Sequence, residues 1–294
     1  LADNTTRHRP ERSFADYRQL LDEGRLDVVH VTTLPVHLTA IVLECLERGL
    51  HVSVEKPPGM NAAETAQMAR AAAHSKGKAL VSFNRRYIPQ ILALRQQLKA
   101  AGGTLQCSTT YHKNQSVLGE WRRAGLIPDP VVCDAIHHVD LLRWLAGAGQ
   151  DRAAVPVSVY SEVEDGPRPA AHRHQAVIRF NHGTVGSLMS HYGVGYRIQR
   201  AEAHAEDFSA YLELSGEPQC ELYKARPGEG EATHGARVEQ PLDLDAVGGA
   251  GYNEVRHFTD CILEDHTPWS TLDDAVETMK LAEAIRRGHK GPLA

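Results

Sequence analysis

The amino-acid sequence predicts an α/β domain with a parallel sheet, followed by an α+β domain with a larger, mainly antiparallel sheet. Helix-like and strand-like segments alternate between residues 13 and 84, and the strands are short and rich in Val. Strands separated by helices of this length pair in parallel, with helices on both faces of the sheet. The region from residue 104 to 226 instead carries strand-like runs with one helical interruption. We therefore expect two domains, at residues 1–88 and 89–294.

The elements of the first domain follow one another as helix, strand, helix, strand, helix and strand. Apolar side chains at helical spacing predict the first helix, and Gly24 at its end suits a left-handed cap. Pro35 lies near the start of the second helix, and Asn61 with Glu64 has the spacing of a capping box at the start of the third. The predicted helices cover residues 13–24, 35–50 and 61–77, and the predicted strands cover residues 26–33, 51–54 and 78–84.

The second domain opens with a predicted helix at residues 88–102 and continues mainly as strands. Asn181-His182-Gly183 predicts a hairpin turn. One helix, DAIHHVDLLRWLAG, interrupts the strands, and two helices close the chain. The Gly- and Glu-rich stretch at residues 225–236 predicts an exposed loop. The predicted strands are residues 104–112, 155–163, 174–180, 184–192, 196–205 and 210–216.

Composition narrows the class of partner. A chain of 294 residues with 42% hydrophobic content can bury a substantial core. The formal net charge of -5 gives no sustained basic field, so nucleic acid and anionic membranes are poor partners and a small molecule is expected. Five scattered cysteines without a Cys-x-x-Cys pair favour reduced thiols, and there is no zinc motif. Since no apolar run approaches the roughly 20 residues of a membrane span, we expect a cytoplasmic protein.

Two of the predicted parallel strands end in unusual polar sequences, TTLPVH and EKPP. Ligands of open parallel sheets bind outside the carboxyl ends of the strands. Both sequences are therefore expected at the ligand-binding edge of the first domain.

Three segments carry a resemblance to a known family. The stretch GLHVSVEKPPGMNAAETAQM resembles the Glu-Lys-Pro signature of the Gfo/Idh/MocA family of NAD(P)-dependent oxidoreductases. DAIHHVDLLRWLAG is similar to the second, helical signature of that family, and the closing segment from EVRHFTDCIL to AEAIRRG is similar to its C-terminal end. The three segments occur in the order of the family and cover nearly the whole chain. The resemblance implies a Rossmann-type first domain and a second domain that binds substrate and forms oligomers.

Hydride chemistry gives the EKPP segment a role. Transfer of hydride from a secondary alcohol to nicotinamide needs a base for the hydroxyl proton and a cation that stabilises negative charge on the oxygen. The ammonium of Lys56 suits the second need, and Pro57 holds the backbone so that Lys56 points into the cleft. The resemblance implies that Glu55 lies near the nicotinamide ribose.

The base is expected from the segment CDAIHHVD, which offers two candidates. Histidine suits proton transfer near neutral pH, and Asp134 can orient the imidazole. Helix positions three and four residues after Asp134 share a face with it, so spacing admits both His137 and His138. We prefer His137, because it shares one inward stripe with Asp134 and Leu141.

The cofactor preference stays open. In the family, a Gly-x-Gly-x-x-Gly turn binds the pyrophosphate, and no such motif occurs upstream of TTLP, so we expect the first strand, that turn and its helix to be missing. Asp3 would then stand at the end of the second strand of the family, where an acidic residue binds ribose and favours NAD over NADP. Arg7, Arg9 and Arg12 favour the reverse. NAD is preferred.

The resemblance also implies residues that line the cleft. At the cofactor they are Thr32, Thr33, Leu34, Pro35, His37, Glu55, Lys56, Pro57 and Asn84, together with Asp3. At the substrate they are Arg86, Tyr87 and His137, and side-chain chemistry adds Tyr111, Lys113 and Trp121. Aromatic faces and cations suit the recognition of polyols.

These features predict an NAD(P)-dependent dehydrogenase or reductase acting on a secondary alcohol or ketone of a sugar, inositol or related polyol. One alternative is a relative that cleaves glycosides by transient oxidation with tightly held NAD. Another is a cofactor-sensing regulator, which has no need of Lys56 and His137; a fragment without the phosphate-binding turn would be inactive. The expected partners are the small-molecule substrate and a homodimer or homotetramer, with no metal, nucleic acid or membrane.

Overall fold

The described part of the chain forms two sheets, one parallel with three strands and one mainly antiparallel with nine. The predicted fold class, α/β followed by α+β, is confirmed. The predicted loop at residues 225–236 falls largely outside the described residues. The computed structural model describes residues 10–114, 117–166, 172–225, 235–238 and 242–293.

The first sheet confirms the predicted alternation of helices and strands. Its elements are α1 (Tyr17–Glu23), β1 (Val28–Val31), α2 (Pro35–Glu47), β2 (His51–Val54), α3 (Ala62–His74) and β3 (Ala79–Val81). The strands pair in parallel in the order β1, β2, β3. Helix α2 starts at Pro35. Proline has no backbone N–H, which costs nothing here because an N–H in the first turn has no acceptor within the helix. Asn61 caps α3, since its side chain accepts a hydrogen bond from the N–H of Glu64 at 2.9 Å.

The predicted left-handed cap at Gly24 is wrong. Gly24 follows α1 with a φ of -72°, and the positive φ of 50° belongs to Arg25. Close approach explains the glycine instead, because a Cβ at this position would lie 2.4 Å from the carbonyl oxygen of Leu20.

The second sheet has the strand order β11-β10-β9-β8-β4-β7-β6-β5-β12. Its strands are β4 (Gln106–Asn114), β5 (Pro156–Glu164), β6 (Arg173–Phe180), β7 (Val185–His191), β8 (Gly193–Ala205), β9 (Phe208–Glu213), β10 (Gln219–Lys224), β11 (Ala236–Arg237) and β12 (Lys290–Pro292). Neighbours are antiparallel except β4 and β7, which are parallel. The predicted hairpin between β6 and β7 is present, with Gly183 at φ +99°. Buried and exposed residues alternate strictly along β6, so one face of the sheet is covered and the other is open.

Helices cover one face of the second sheet. A short 3-10 helix (Asn84–Tyr87) and α4 (Pro89–Ala100) follow β3, and the later helices are α5 (Val117–Arg123), α6 (Pro130–Cys133), α7 (Ile136–Ala146), α8 (Glu254–Leu263) and α9 (Leu272–Arg286). Helix α7 packs on β4 and β7, and α9 packs on β5. The expectation of one helix among the strands is wrong, because α5 and α6 precede α7.

Helix α9 and the segment before it connect the two sheets. The side-chain Oε1 of Glu283, on α9, accepts a hydrogen bond from the N–H of Ala62 at 2.6 Å, at the start of α3. The carbonyl oxygen of Ser270 accepts one from the N–H of Val81 at 2.7 Å. The last helix of the chain therefore holds the first sheet in place.

A buried ion network fixes α7 between the 3-10 helix and α9. Nη2 of Arg86 donates to Oδ1 of Asp140 and to Oδ2 of Asp274, both at 2.5 Å. Arg143 donates to Oδ1 of Asp274 at 2.9 Å. Burial alone would lower the pKa of Arg86, but the two carboxylates outweigh it and raise that pKa. Each charge in this interior has a partner of opposite sign.

Two further findings concern membranes and metals. In the part of the chain that the structure describes, no helix combines the length and apolar character needed to cross a bilayer. Nor do these residues bring three or more His, Cys, Asp or Glu side chains together as metal ligands.

Candidate active site

Lys56 follows β2 and reaches the helical segment of the second domain. Its Nζ donates a hydrogen bond to the carbonyl oxygen of Cys133 at 3.2 Å, and its backbone N–H donates to Oε2 of Glu55 at 2.9 Å. The loop behind it is tied to α3, since Oγ1 of Thr65 donates to the carbonyl oxygen of Pro58 at 2.6 Å. The ammonium group therefore lies between the first sheet and the start of α7.

The carboxylate of Asp134 faces β4. Nζ of Lys113 donates to both of its oxygens, at 3.3 and 3.2 Å. Tyr111 lies on the same face of β4; burial, followed by the charge of Asp134, raises the pKa of its hydroxyl. Among the described residues, Asp134 makes no side-chain hydrogen bond with His137. The side-chain partner of Asp134 in the structure is therefore Lys113 and not the histidine it was expected to orient.

His137 is the second residue of α7 and is held neutral. Burial lowers its pKa well below the usual range, and the positive charges of Lys56, Arg85 and Lys113 lower it further. Its Nδ1 is buried and has no hydrogen-bond partner among the described residues. A neutral imidazole beside a lysine can accept a proton from a substrate hydroxyl.

His138 occupies a different environment from His137. It is fully buried, its ring lies 4.8 Å from that of Tyr111, and neither ring nitrogen has a partner in the described ranges. Burial, followed by the charges of Arg85 and Arg197, lowers its pKa to about 3. Lys56 acts on the pKa of His137 and is not among the causes at His138. The two imidazoles thus differ in the charges that surround them.

The residues implied at the cofactor lie around the carboxyl ends of the parallel strands. Thr32, Thr33 and His37 are exposed after β1, whereas Leu34 is half-buried and Pro35 is buried at the start of α2. Pro57 is buried and Asn84 is exposed. Asp3, Arg7 and Arg9 lie outside the described residues.

The segment FNRRY sends its two arginines in opposite directions. Arg86 and Tyr87 are buried; Arg86 is held in the ion network, and the hydroxyl of Tyr87 lies 2.6 Å from Oγ of Ser270. Arg85 is the arginine that reaches the cleft, where its charge acts on His137. Nothing in the local sequence distinguishes the two, because the carboxylates that hold Arg86 lie far away in the chain.

Trp121 stands apart from this cluster. It lies on α5 with 40% of its surface exposed. The structure thus brings together Lys56, Lys113, Tyr111, Asp134 and His137.

Glu254 and Gln199 are polar residues of this region that sequence reasoning missed. Glu254 opens α8 and accepts a hydrogen bond from Oγ of Ser82 at 2.6 Å, while its Oε2 is buried without a partner in the described residues. Burial raises its pKa, and the charge of Glu55 adds to this rise. Gln199 occupies an inward position of β8, and the inward residues that follow it are alanines. A glutamine in a row of inward alanines is the sequence feature that could have identified it.

A cleft of about 940 Å³ is lined by Asn84, Arg85 and Glu254, and its lining does not include Lys56 or His137. This volume is in the range of small-molecule and cofactor sites.

Comparison with known families matches both parts of the chain. Residues 3–83 match GFO_IDH_MocA, described as an oxidoreductase family with an NAD-binding Rossmann fold. Residues 104–291 match GFO_IDH_MocA_C, the C-terminal alpha/beta domain of that oxidoreductase family.

Individual relatives agree with these matches. The chain is 26% identical over 266 residues to YceM of Salmonella typhimurium, named as an oxidoreductase, covering 89% of this chain and 78% of that protein. It is 30% identical over 142 residues to inositol 2-dehydrogenase of Acidothermus cellulolyticus, covering 48% of this chain and 40% of that one. The fold is similar to levoglucosan dehydrogenase in complex with NADH, with a TM-score of 0.81 at 19% identity, covering 100% of this chain and 87% of that chain.

Proposed function

The chain belongs to the Gfo/Idh/MocA family of NAD-binding oxidoreductases, and from this premise we propose that it transfers hydride between NAD and a secondary alcohol or ketone of a sugar, inositol or related polyol. The observation that carries the proposal is the position of Lys56, whose hydrogen bond to Cys133 holds its ammonium beside the helix of the neutral His137. Relatives named as inositol 2-dehydrogenase and levoglucosan dehydrogenase support the substrate class.

Two carboxylates near the carboxyl ends of the parallel strands fit a dinucleotide. Glu55 and Glu254 offer carboxylate oxygens close to each other, and Oε2 of Glu254 has no partner within the described residues. Ribose hydroxyls donate hydrogen bonds that such acceptors can receive. NAD, when bound, supplies C4 of the nicotinamide as the hydride acceptor.

Lys56 and His137 divide the proton and charge chemistry between them. The ammonium of Lys56 donates a hydrogen bond to the reacting oxygen and stabilises its negative charge. His137 is the base, because its neutral imidazole feels the charge of Lys56, which His138 does not, and it can accept the hydroxyl proton. Asp134 is a positioning residue that holds Lys113 at the substrate.

The decisive experiment follows NADH formation with a panel of inositols and sugars. For Lys56→Met we expect kcat to fall about 100- to 1000-fold with NADH affinity retained, because the lost cation acts on the transition state. Lys76→Met, at an exposed lysine after α3, is the matched control and should leave kcat unchanged. An unchanged rate in Lys56→Met would refute the assignment. Net accumulation of NADH separates this enzyme from a relative that returns the hydride within each turnover.

We also propose the organisation of the whole protein. The boundary between cofactor domain and second domain lies near residue 88, where the 3-10 helix passes into α4. The open face of the nine-stranded sheet is the surface through which copies of the chain form a homodimer or homotetramer. It carries exposed Tyr160, Val177 and Met189, and Tyr160 pairs with Val177 across β5 and β6.

A further inference from the structure

Buried hydrogen-bond donors without acceptors lie at one side of the candidate active site. Gln199 is fully buried, and its Nε2 has no partner among the described residues. Nε of Arg85 is also buried without a partner there. A buried donor without an acceptor is unfavourable, so such groups are expected to have a partner that completes them.

The orientation of the Gln199 amide is fixed by its neighbours. Oε1 accepts a hydrogen bond from Nη2 of Arg85 at 3.0 Å, and a flipped amide would place two donors against each other. Nη1 of Arg85 is bound to Oδ1 of Asn84 at 2.9 Å, and the backbone N–H of Gln199 to Oγ of Ser215 at 2.9 Å. Nε2 of Gln199 and Nε of Arg85 are therefore the donors left over.

The charges around Gln199 also call for an acceptor, because positive charge is in excess. Arg85 and Arg197 form no ion pair among the described residues, and each lowers the pKa of the buried His138. The carboxylate of Asp134 is already bound by Lys113. Two unpartnered donors beside two guanidinium groups without a carboxylate partner, of which Arg197 is exposed, favour an acceptor that carries negative charge.

We propose that Arg85, Gln199 and Arg197 form a subsite for an anionic oxygen group of the substrate, a carboxylate or a phosphate. This inference rests on the proposed function and deepens it, since it makes the substrate a polyol acid or polyol phosphate. Tyr111 lies opposite Gln199 in the pairing of β4 and β8, and its ring contacts His138. The anion is therefore bound beside the helix that carries the base.

The test is calorimetric binding of matched probes to the full chain, namely glucose, glucuronate and glucose 6-phosphate. We expect at least one anionic probe to bind about 10-fold more tightly than glucose, and the stronger of the two identifies the group. Gln199→Glu keeps the size of the side chain and its contact with Arg85 but replaces the donor by a negative charge, so it should abolish the preference. Gln97→Glu, on the exposed face of α4, is the matched control and should keep it.

Several results would overturn the proposal: glucose binding as tightly as both anions, no binding of either anion, or an anion preference that survives Gln199→Glu. Binding requires no turnover, so failure of the proposed function is seen separately. An anion preference sensitive to Gln199→Glu without hydride transfer to any polyol contradicts the dehydrogenase and leaves the subsite standing. Hydride transfer that is equal for neutral and anionic substrates supports the dehydrogenase and contradicts the subsite.

Discussion

His257 shows how one buried imidazole ties its protonation state to the fold. Its Nε2 accepts a hydrogen bond from the backbone N–H of Trp269 at 3.2 Å, and its Nδ1 lies 2.9 Å from the hydroxyl of Tyr252. Protonation of Nε2 would remove the acceptor for Trp269. Burial lowers the pKa of His257 to about 4, although Asp260 partly offsets this. The folded protein thus needs this histidine neutral.

Stability should therefore fall as pH falls. An unfolded histidine titrates near 6.5 and the folded His257 near 4, so between these values the unfolded chain binds more protons. The contribution is complete above pH 6.5 and is lost progressively toward pH 4. Urea unfolding at pH 7 and 5 should show this, and His257→Gln should reduce proton uptake on unfolding at pH 5 by about one proton. Equal uptake in both proteins would contradict the expectation.

The lowered pKa of His137 should appear in catalysis. Because the imidazole is neutral well below pH 6.5, the acid limb of the kcat/KM profile for polyol oxidation should lie below the usual histidine range. Lys56→Met removes a positive charge that lowers this pKa, so the acid limb of its residual activity should move to higher pH. The measurement is the rate of NADH formation between pH 5 and 8. A limb near pH 6.5 in the unaltered chain would argue against His137 as the base.

At the scale of single residues, some members of the candidate site could be predicted from the sequence and others could not. Lys56 could be singled out because a strand end and two prolines set it apart. Arg86 was predicted to contact substrate, but Asp140 and Asp274 hold it in the interior, and Arg85 is at the cleft instead. Their partners come from segments distant in the chain, which no local pattern reveals.

At the scale of elements, α7 differs from the amphipathic helix that its stripe suggested. All of its residues are buried, because the sheet, α9 and the 3-10 helix surround it. Its polar residues Asp140 and Arg143 are paired instead of exposed. Strands with alternating apolar residues, such as β6, were predictable, whereas β12 has no such pattern and is formed by backbone pairing with β5.

This network makes α7 sensitive to a single change. Asp140 accepts hydrogen bonds from Arg86 and from Thr278, so Asp140→Asn leaves a buried guanidinium with one carboxylate fewer. We expect the free energy of unfolding to fall by about 3–5 kcal/mol in urea titration. Asp151→Asn, which breaks the exposed pair with Lys99, serves as the control and should have no measurable effect. Equal stability of the two variants would show that the network contributes nothing.

At the scale of the whole molecule, the nine-stranded sheet has one face that no described helix covers. The side chains on it are mixed, with apolar Val177 and Met189 among charged residues. Such a face suits association between copies of the chain, where apolar contacts form the centre and polar groups the rim.

Val177→Lys should dissociate the oligomer and leave the monomer folded, since the side chain is about half exposed and points away from the core. Sedimentation velocity measures the change in mass. Val255→Lys places the same charge on an exposed valine of α8, outside the sheet, and should keep the oligomer. A chain that is monomeric from the outset, or an oligomer that tolerates Val177→Lys, would refute this interface.

The contacts of α9 also bear on the order in which the protein is made. Glu283 and Ser270 bind backbone groups of α3 and β3, yet the ribosome adds them long after these elements. Domains generally fold as they emerge, N-terminal first. Here the N-terminal domain leaves the ribosome with the edge of β3 and the start of α3 still unpaired by the closing segment. Translation that stops after residue 263 should yield a nascent product that proteases cleave in its N-terminal half. These cleavage sites are far in the sequence from the point at which translation stopped.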